Sequence, residues 1–170
     1  NKTFKELFLV YRNLARLYFE NEKYKYANNF YTKSYQLNSK YHGPKSEDAL
    51  TDKKSIAIVY MVSGNYSKAK KILENILHSI DDIHFDNVND EFKTDIKWDL
   101  ACNYVNLKNY KKALLFFKEV FKTDPGTGGS TYYIGYCYEK LKNYQKSIKN
   151  YILSAEIRKT QLGIDSKETH

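Results

Sequence analysis

The chain has 170 residues, 42% of them hydrophobic, and its 28 Lys+Arg against 20 Asp+Glu give a formal net charge of +8. That length and apolar content support one continuous core rather than two large globular domains, and no stretch reaches the roughly 18 apolar residues of a membrane span or reads as a signal peptide. The basicity is almost entirely lysine, since Arg12, Arg16 and Arg158 are the only arginines, so a solvated lysine-rich face is favoured over a phosphate-reading groove, where arginine forks do most of the work.

Along the chain one signature returns four times: an aliphatic residue, a small residue, a tyrosine three positions on, a turn ending in tyrosine, and a second small residue three positions later. It reads Leu14, Ala15, Tyr18, Tyr24, Ala27, then Ile56, Ala57, Tyr60, Tyr66, Ala69. It returns as Leu100, Ala101, Tyr104, Tyr110, Ala113 and as Ile134, Gly135, Tyr138, Tyr144, Ser147. Small residues at both places let two helices approach closely, and Tyr31, Leu73, Phe117 and Tyr151 fill the gap one turn further on. The turns Gly64-Asn65-Tyr66, Lys108-Asn109-Tyr110 and Lys142-Asn143-Tyr144 suit a left-handed backbone residue. Pro125 is placed to stop the second helix of the third unit.

This pattern resembles the tetratricopeptide repeat, a helix-turn-helix unit of 34 residues. The resemblance implies an all-α fold, a right-handed superhelical array of antiparallel helix pairs, with pairs at about 8–41, 50–83, 94–127 and 128–161. Spacings of 42, 44 and 34 residues separate Ala27, Ala69, Ala113 and Ser147. Two units are therefore lengthened, and the connection from Tyr41 to Asp48 looks like the link between repeats in kinesin light chains and related 42-residue arrays. The stretch from Leu162 to Thr169 occupies the corresponding place, so 162–170 is expected to begin a further repeat or to form a tail. Asn1 in place of a methionine points to a cut at the other end.

In such arrays the functional surface is the concave wall, lined by the first helix of each pair. Helical spacing around the packing residues puts Leu9, Arg12, Arg16 and Phe19 there, then Thr51, Lys54, Ile58 and Met61. Asp95, Trp98, Cys102 and Val105 follow, and last come Tyr132, Tyr136 and Glu139. The site expected from this is Arg12, Arg16, Phe19, Lys54, Ile58, Met61, Trp98, Cys102, Tyr132 and Tyr136, cationic and aliphatic at the start and aromatic at the end. A protein or peptide partner with carboxylates at one end and large apolar side chains at the other fits that gradient. Of the 17 tyrosines, Tyr132, Tyr133 and Tyr136 fall in one helix and with Trp98 offer an amphipathic anchor surface; contact with the next repeat or a C-terminal cap is the alternative use.

Two sharper family functions lack their residues. The chaperone carboxylate clamp needs Asn after the first small packing residue, where this chain has Arg16, Ile58, Cys102 and Tyr136. Kinesin-light-chain arrays place Asn two residues before the small residue, and here only Asn13 matches, beside Ser55, Asp99 and Tyr133.

Catalytic and metal chemistry finds no support. His42, His78, His84 and His170 are scattered, with no HExxH, CxxC or zinc spacing. The acidic stretch from Asp81 to Glu91 resembles a calcium loop but lacks its central Gly and a terminal Glu at the right spacing. The run from Pro125 to Thr131 lacks the GK[ST] ending of a phosphate loop and reads as a turn with Ser130 or Thr131 as N-cap. Cys102 and Cys137 read as free thiols suited to a reducing compartment. The sequence thus reads as a non-catalytic, cofactor-free protein-interaction scaffold of the cytoplasm or nucleus. A structural or self-associating array is the alternative, ahead of nucleic-acid binding. Self-association would run through the C-terminal repeat, where Ile148, Ile152 and Ala155 form an apolar face that residues 161–170 or a second chain could cover.

Overall fold

The structure is a computed structural model that describes residues 2–81, 90–126 and 128–163. Its regular elements among these residues are eight α-helices, and the chain divides into two compact units, Asn1–Ile96 and Lys97–His170. The first unit holds α1 (Lys2–Glu20), α2 (Tyr24–His42), α3 (Glu47–Val62), α4 (Tyr66–Asp81) and the opening of α5 (Asp90–Asn106). In it α1 packs on α2, α2 on α3 and α3 on α4. The second unit holds the rest of α5, α6 (Tyr110–Thr123), α7 (Gly128–Lys140) and α8 (Tyr144–Gln161), with α6 packed on α7 and α7 on α8. The helix pairs therefore span 2–42, 47–81, 90–123 and 128–161. Most of the Asp81–Glu91 stretch and the tail beyond Gly163 lie outside the described residues.

All four pairs turn by the same device. Glu22, Gly64, Lys108 and Lys142 follow the first helices with φ of 59°, 79°, 56° and 60°, the left-handed shape that closes a helix with its last carbonyls satisfied. The amide of the next residue reaches back to the repeat tyrosine's carbonyl: Lys23 to Tyr18 at 2.8 Å, Asn65 to Tyr60 at 2.7 Å, Asn109 to Tyr104 at 2.9 Å and Asn143 to Tyr138 at 2.8 Å. Asn109 and Asn143 then cap the second helix, accepting from the amides of Lys112 and Lys146. Only Gly64 meets the left-handed requirement without a Cβ. Gly64→Val is accordingly expected to lower stability by about 1–2 kcal/mol, whereas Lys108→Gly, which removes a Cβ from the same backbone shape, is expected to hold or raise it. Thermal melts of the two variants check this contrast.

The small residues sit where the helices touch. Ala15, Ala27, Ala57, Ala69, Ala101 and Ala113 are all fully buried, and Ser147 nearly so. At Gly135 the approach is closest, because a Cβ there would lie 2.9 Å from Tyr151 Cδ1 and 3.3 Å from the Ser147 carbonyl oxygen.

The start of α7 differs from expectation. Ser130 and Thr131 are not N-caps: α7 already begins at Gly128, and both side chains are fully buried inside it. The reason is contact with α8. A Cβ on Gly128 would meet Arg158 Cγ at 2.8 Å, and Ser154 Oγ donates to the Gly128 carbonyl at 2.6 Å. Thr131 Oγ1 donates to the same carbonyl at 3.1 Å, so its hydroxyl is used within the helix.

Candidate functional site

In the first unit the expected cations are engaged by carboxylates of the chain itself. Asp52, on α3, is fully buried and accepts from Arg12 Nε at 2.8 Å, Ser34 Oγ at 2.7 Å and Asn38 Nδ2 at 2.6 Å. Arg12 also reaches Asp48 Oδ1 at 3.2 Å and lies over the Phe8 ring. Burial works against the charge on Arg12, but its bonds to Asp52 and Asp48 outweigh that and raise its pKa. Arg16 pairs with Glu20 at 2.6 Å on the exposed surface of α1, and Lys54 pairs with Asp95 at 2.9 Å while covering Phe92. A carboxylate ligand would have to compete with these internal partners, each of them already in place.

The apolar members fare differently. Phe19 from α1 and Ile58 from α3 come together with Tyr31 of α2 and Ser55 of α3 around an open cleft of about 160 Å³. Phe19 is fixed edge-on against Tyr24 at a centroid distance of 5.7 Å. The Tyr31 hydroxyl is pushed above its ordinary pKa by burial and then by Asp52, against the opposing pull of Arg16 and Arg12, so at neutral pH it is a neutral hydrogen-bonding group at the cleft. Met61 is half-buried and does not line the cleft.

In the second unit Trp98 belongs to an aromatic cluster. It stands edge-on to Phe117 at 5.3 Å and to Tyr133 at 5.6 Å, and Phe117 stacks on Tyr133 at 5.0 Å. Gly129 gives the indole room, since a Cβ there would be 3.2 Å from its ring. Tyr132 is exposed, lies beside Tyr151 and carries Arg158 over its face. Tyr136 is half-buried, edge-on to Tyr110 at 6.2 Å, with Lys140 Nζ 4.9 Å from its centroid. Tyr151 donates to Glu139 Oε2 at 2.9 Å, and that bond, followed by Lys140, holds the Glu139 carboxyl below its usual range.

Cys102 is half-buried and Cys137 buried, both as free thiols. Burial pushes each up to about 12, with Asp99 and Cys137 adding to the effect at Cys102. A thiol so shifted is almost wholly protonated at neutral pH and is a poor nucleophile. Iodoacetamide at pH 8 is expected to label the folded protein slowly and the urea-unfolded protein at an ordinary rate, as mass spectrometry would read. Among the described residues no three His, Cys, Asp or Glu side chains are grouped to hold a metal ion, and no helix is long and apolar enough to cross a membrane.

The spacing missed two contributors. Asp52 was hidden because its register position carries Val10, Ile96 and Ser130 in the other units, and a polar residue at a core position was the available signal. Tyr31 reads in sequence as a packing residue, yet its half-buried ring is also cleft wall.

The family model of the tetratricopeptide repeat matches residues 94–127 and 132–161, which are the third and fourth helix pairs. Those two pairs are tetratricopeptide repeats. The first two pairs carry the same signature and the same turn. No curated protein sequence matches the chain. Among solved structures it is similar to BtubC (BKLC) of P. vanneervenii, at 14% identity and TM-score 0.82 over 98% of this chain and 69% of that one. It is also similar to a putative kinesin light chain of Podosopora anserina with nearly identical TPR-like repeats, at 15% identity and TM-score 0.70 over 91% and 76%. A third, MamA of Desulfovibrio magneticus RS-1, shows 15% identity and TM-score 0.70 over 88% and 75%. At such identities the likeness is one of fold, and tetratricopeptide repeats are in general non-catalytic protein-interaction scaffolds.

Proposed function

We propose that this protein holds a segment of a protein partner against the first helices of its repeats, and that apolar anchoring rather than charge supplies most of the hold. The observation that carries this is the contrast in the first unit: Phe19, Tyr31, Ser55 and Ile58 leave a cleft open, while Arg12, Arg16 and Lys54 are each bridged to a carboxylate. At about 160 Å³ the cleft is of the size that accepts a single ring or branched aliphatic side chain, since a cavity of roughly 150 Å³ takes benzene. The Tyr31 and Ser55 hydroxyls at its wall would orient the backbone next to such an anchor. Trp98, Cys102, Tyr132 and Tyr136 of the second unit, and Met61 of the first, are the remaining candidates for contact. The role needs no catalysis and no cofactor, and two free thiols, one half-buried and one buried, suit a reducing, cytoplasmic setting.

Peptides selected from a random display library on the folded protein test this. They are expected to share a large apolar residue and to lose less than about threefold in affinity between about 0.05 and 0.5 M salt, because paired charges contribute little that salt can screen. Selected peptides that are uniformly acidic and strongly salt-dependent would contradict it.

A further inference from the structure

A second surface stands out when equivalent positions are compared down the repeats. Val10 corresponds to Asp52, Ile96 and Ser130, and Leu17 to Val59, Asn103 and Cys137. All six counterparts are at most 2% exposed, whereas Val10 is 50% and Leu17 48% exposed. Leu14, whose counterparts Ile56, Leu100 and Ile134 are buried, instead lines an open cleft of about 250 Å³ with Leu17, Tyr18, Asn21 and Lys23. The covering element is visible at α3, where Ser34 and Asn38 of α2 reach Asp52. A first helix is thus built to receive the second helix of another pair, and α1 presents that row uncovered.

The complementary half is present on α8, which is itself a second helix. Ile148 is 58% and Ile152 54% exposed, and Ala155 is exposed too. The counterparts of Ile148 are Asn28, Lys70 and Leu114, and those of Ala155 are Tyr35, Leu77 and Phe121; all six are half-buried. Residues 148, 152 and 155 form one helical stripe, as do 7, 10, 14 and 17 on α1.

We infer that α8 of one copy docks on α1 of a second copy, giving α1 the cover that α2 gives α3. The contact joins two different surfaces, so it is head-to-tail, and it builds a ring where the rotation closes and an open chain where it does not. It is independent of the Phe19–Ile58 cleft. A net charge of +8 per copy opposes association, so added salt should strengthen it.

The test is sedimentation equilibrium of the wild type from low micromolar to submillimolar concentration, beside Leu17→Glu and Ile148→Glu. Wild-type mass is expected to climb to at least twice the monomer mass. Each variant alone should stay monomeric, and their equimolar mixture should stop at twice the monomer mass, because one sound α8 and one sound α1 remain. A variant that loses helical circular dichroism is replaced by Val10→Glu or Ile152→Glu. A wild type monomeric throughout overturns the inference and leaves the two faces to other polypeptide segments. A single variant that still self-associates overturns it in favour of a symmetric contact, and a mixture that stays monomeric overturns it as well.

Discussion

Asp52→Ala is expected to destabilise the first unit by about 3 kcal/mol or more. Removing one partner of a buried ion pair typically costs roughly 3–5 kcal/mol, because the other charge is left uncompensated. Here Arg12 retains Asp48 at 3.2 Å and keeps 26% of its side chain exposed, which places the loss at the lower end. Ser34 keeps the Phe8 carbonyl at 3.3 Å as an alternative acceptor, but the fully buried Asn38 amide loses its Asp52 acceptor, and an orphaned buried polar group costs about 1–3 kcal/mol. The double variant Arg12→Leu with Asp52→Leu should recover part of the loss, since a packed apolar pair of similar size is often no less stable than a buried ion pair. Urea unfolding of the two single variants and the double gives the coupling. A loss below about 1 kcal/mol in Asp52→Ala would mean that the network contributes little.

Gly135→Leu is expected to cost about 3 kcal/mol, the upper end for overpacking. Even a Cβ at this position is too close to the Tyr151 ring and to the backbone carbonyl of Ser147, and a backbone atom cannot swing aside. Ala101→Leu, at a fully buried position, should cost about 1–3 kcal/mol by the same cause. Cys102→Ala, one residue along on a half-buried face, should cost about 1 kcal/mol. Thermal melts rank the three; equal stability of Ala101→Leu and wild type would mean that the repeat register is wrong.

The repeat made most of the fold legible. Tyr18, Tyr60, Tyr104 and Tyr138 announce the first helices, and the structure shows why the turn follows at a fixed distance: each tyrosine's carbonyl receives the amide that closes the helix. The small residues are equally legible because their role is steric and local. The start of α7 was not, because Gly128 is held by Ser154 and Arg158 of α8, a contact that no window of sequence contains. The candidate site was half legible. Helical spacing located Phe19 and Ile58, but spacing says nothing of what a charge is paired with, and Arg12 meets Asp52 across 40 residues of sequence.

The affinity of one selected apolar-anchored peptide for Ile58→Glu and for Leu115→Glu, measured by calorimetry against the wild type, tests the central claim most directly. Ile58 lines the cleft, whereas Leu115 is an exposed residue of α6 in the other unit. A carboxylate in the cleft must be desolvated or must exclude the anchor, so Ile58→Glu is expected to weaken binding at least tenfold, about 1.4 kcal/mol, with Leu115→Glu within twofold of wild type. Unchanged affinity in Ile58→Glu, with its fold intact by circular dichroism, would contradict the account.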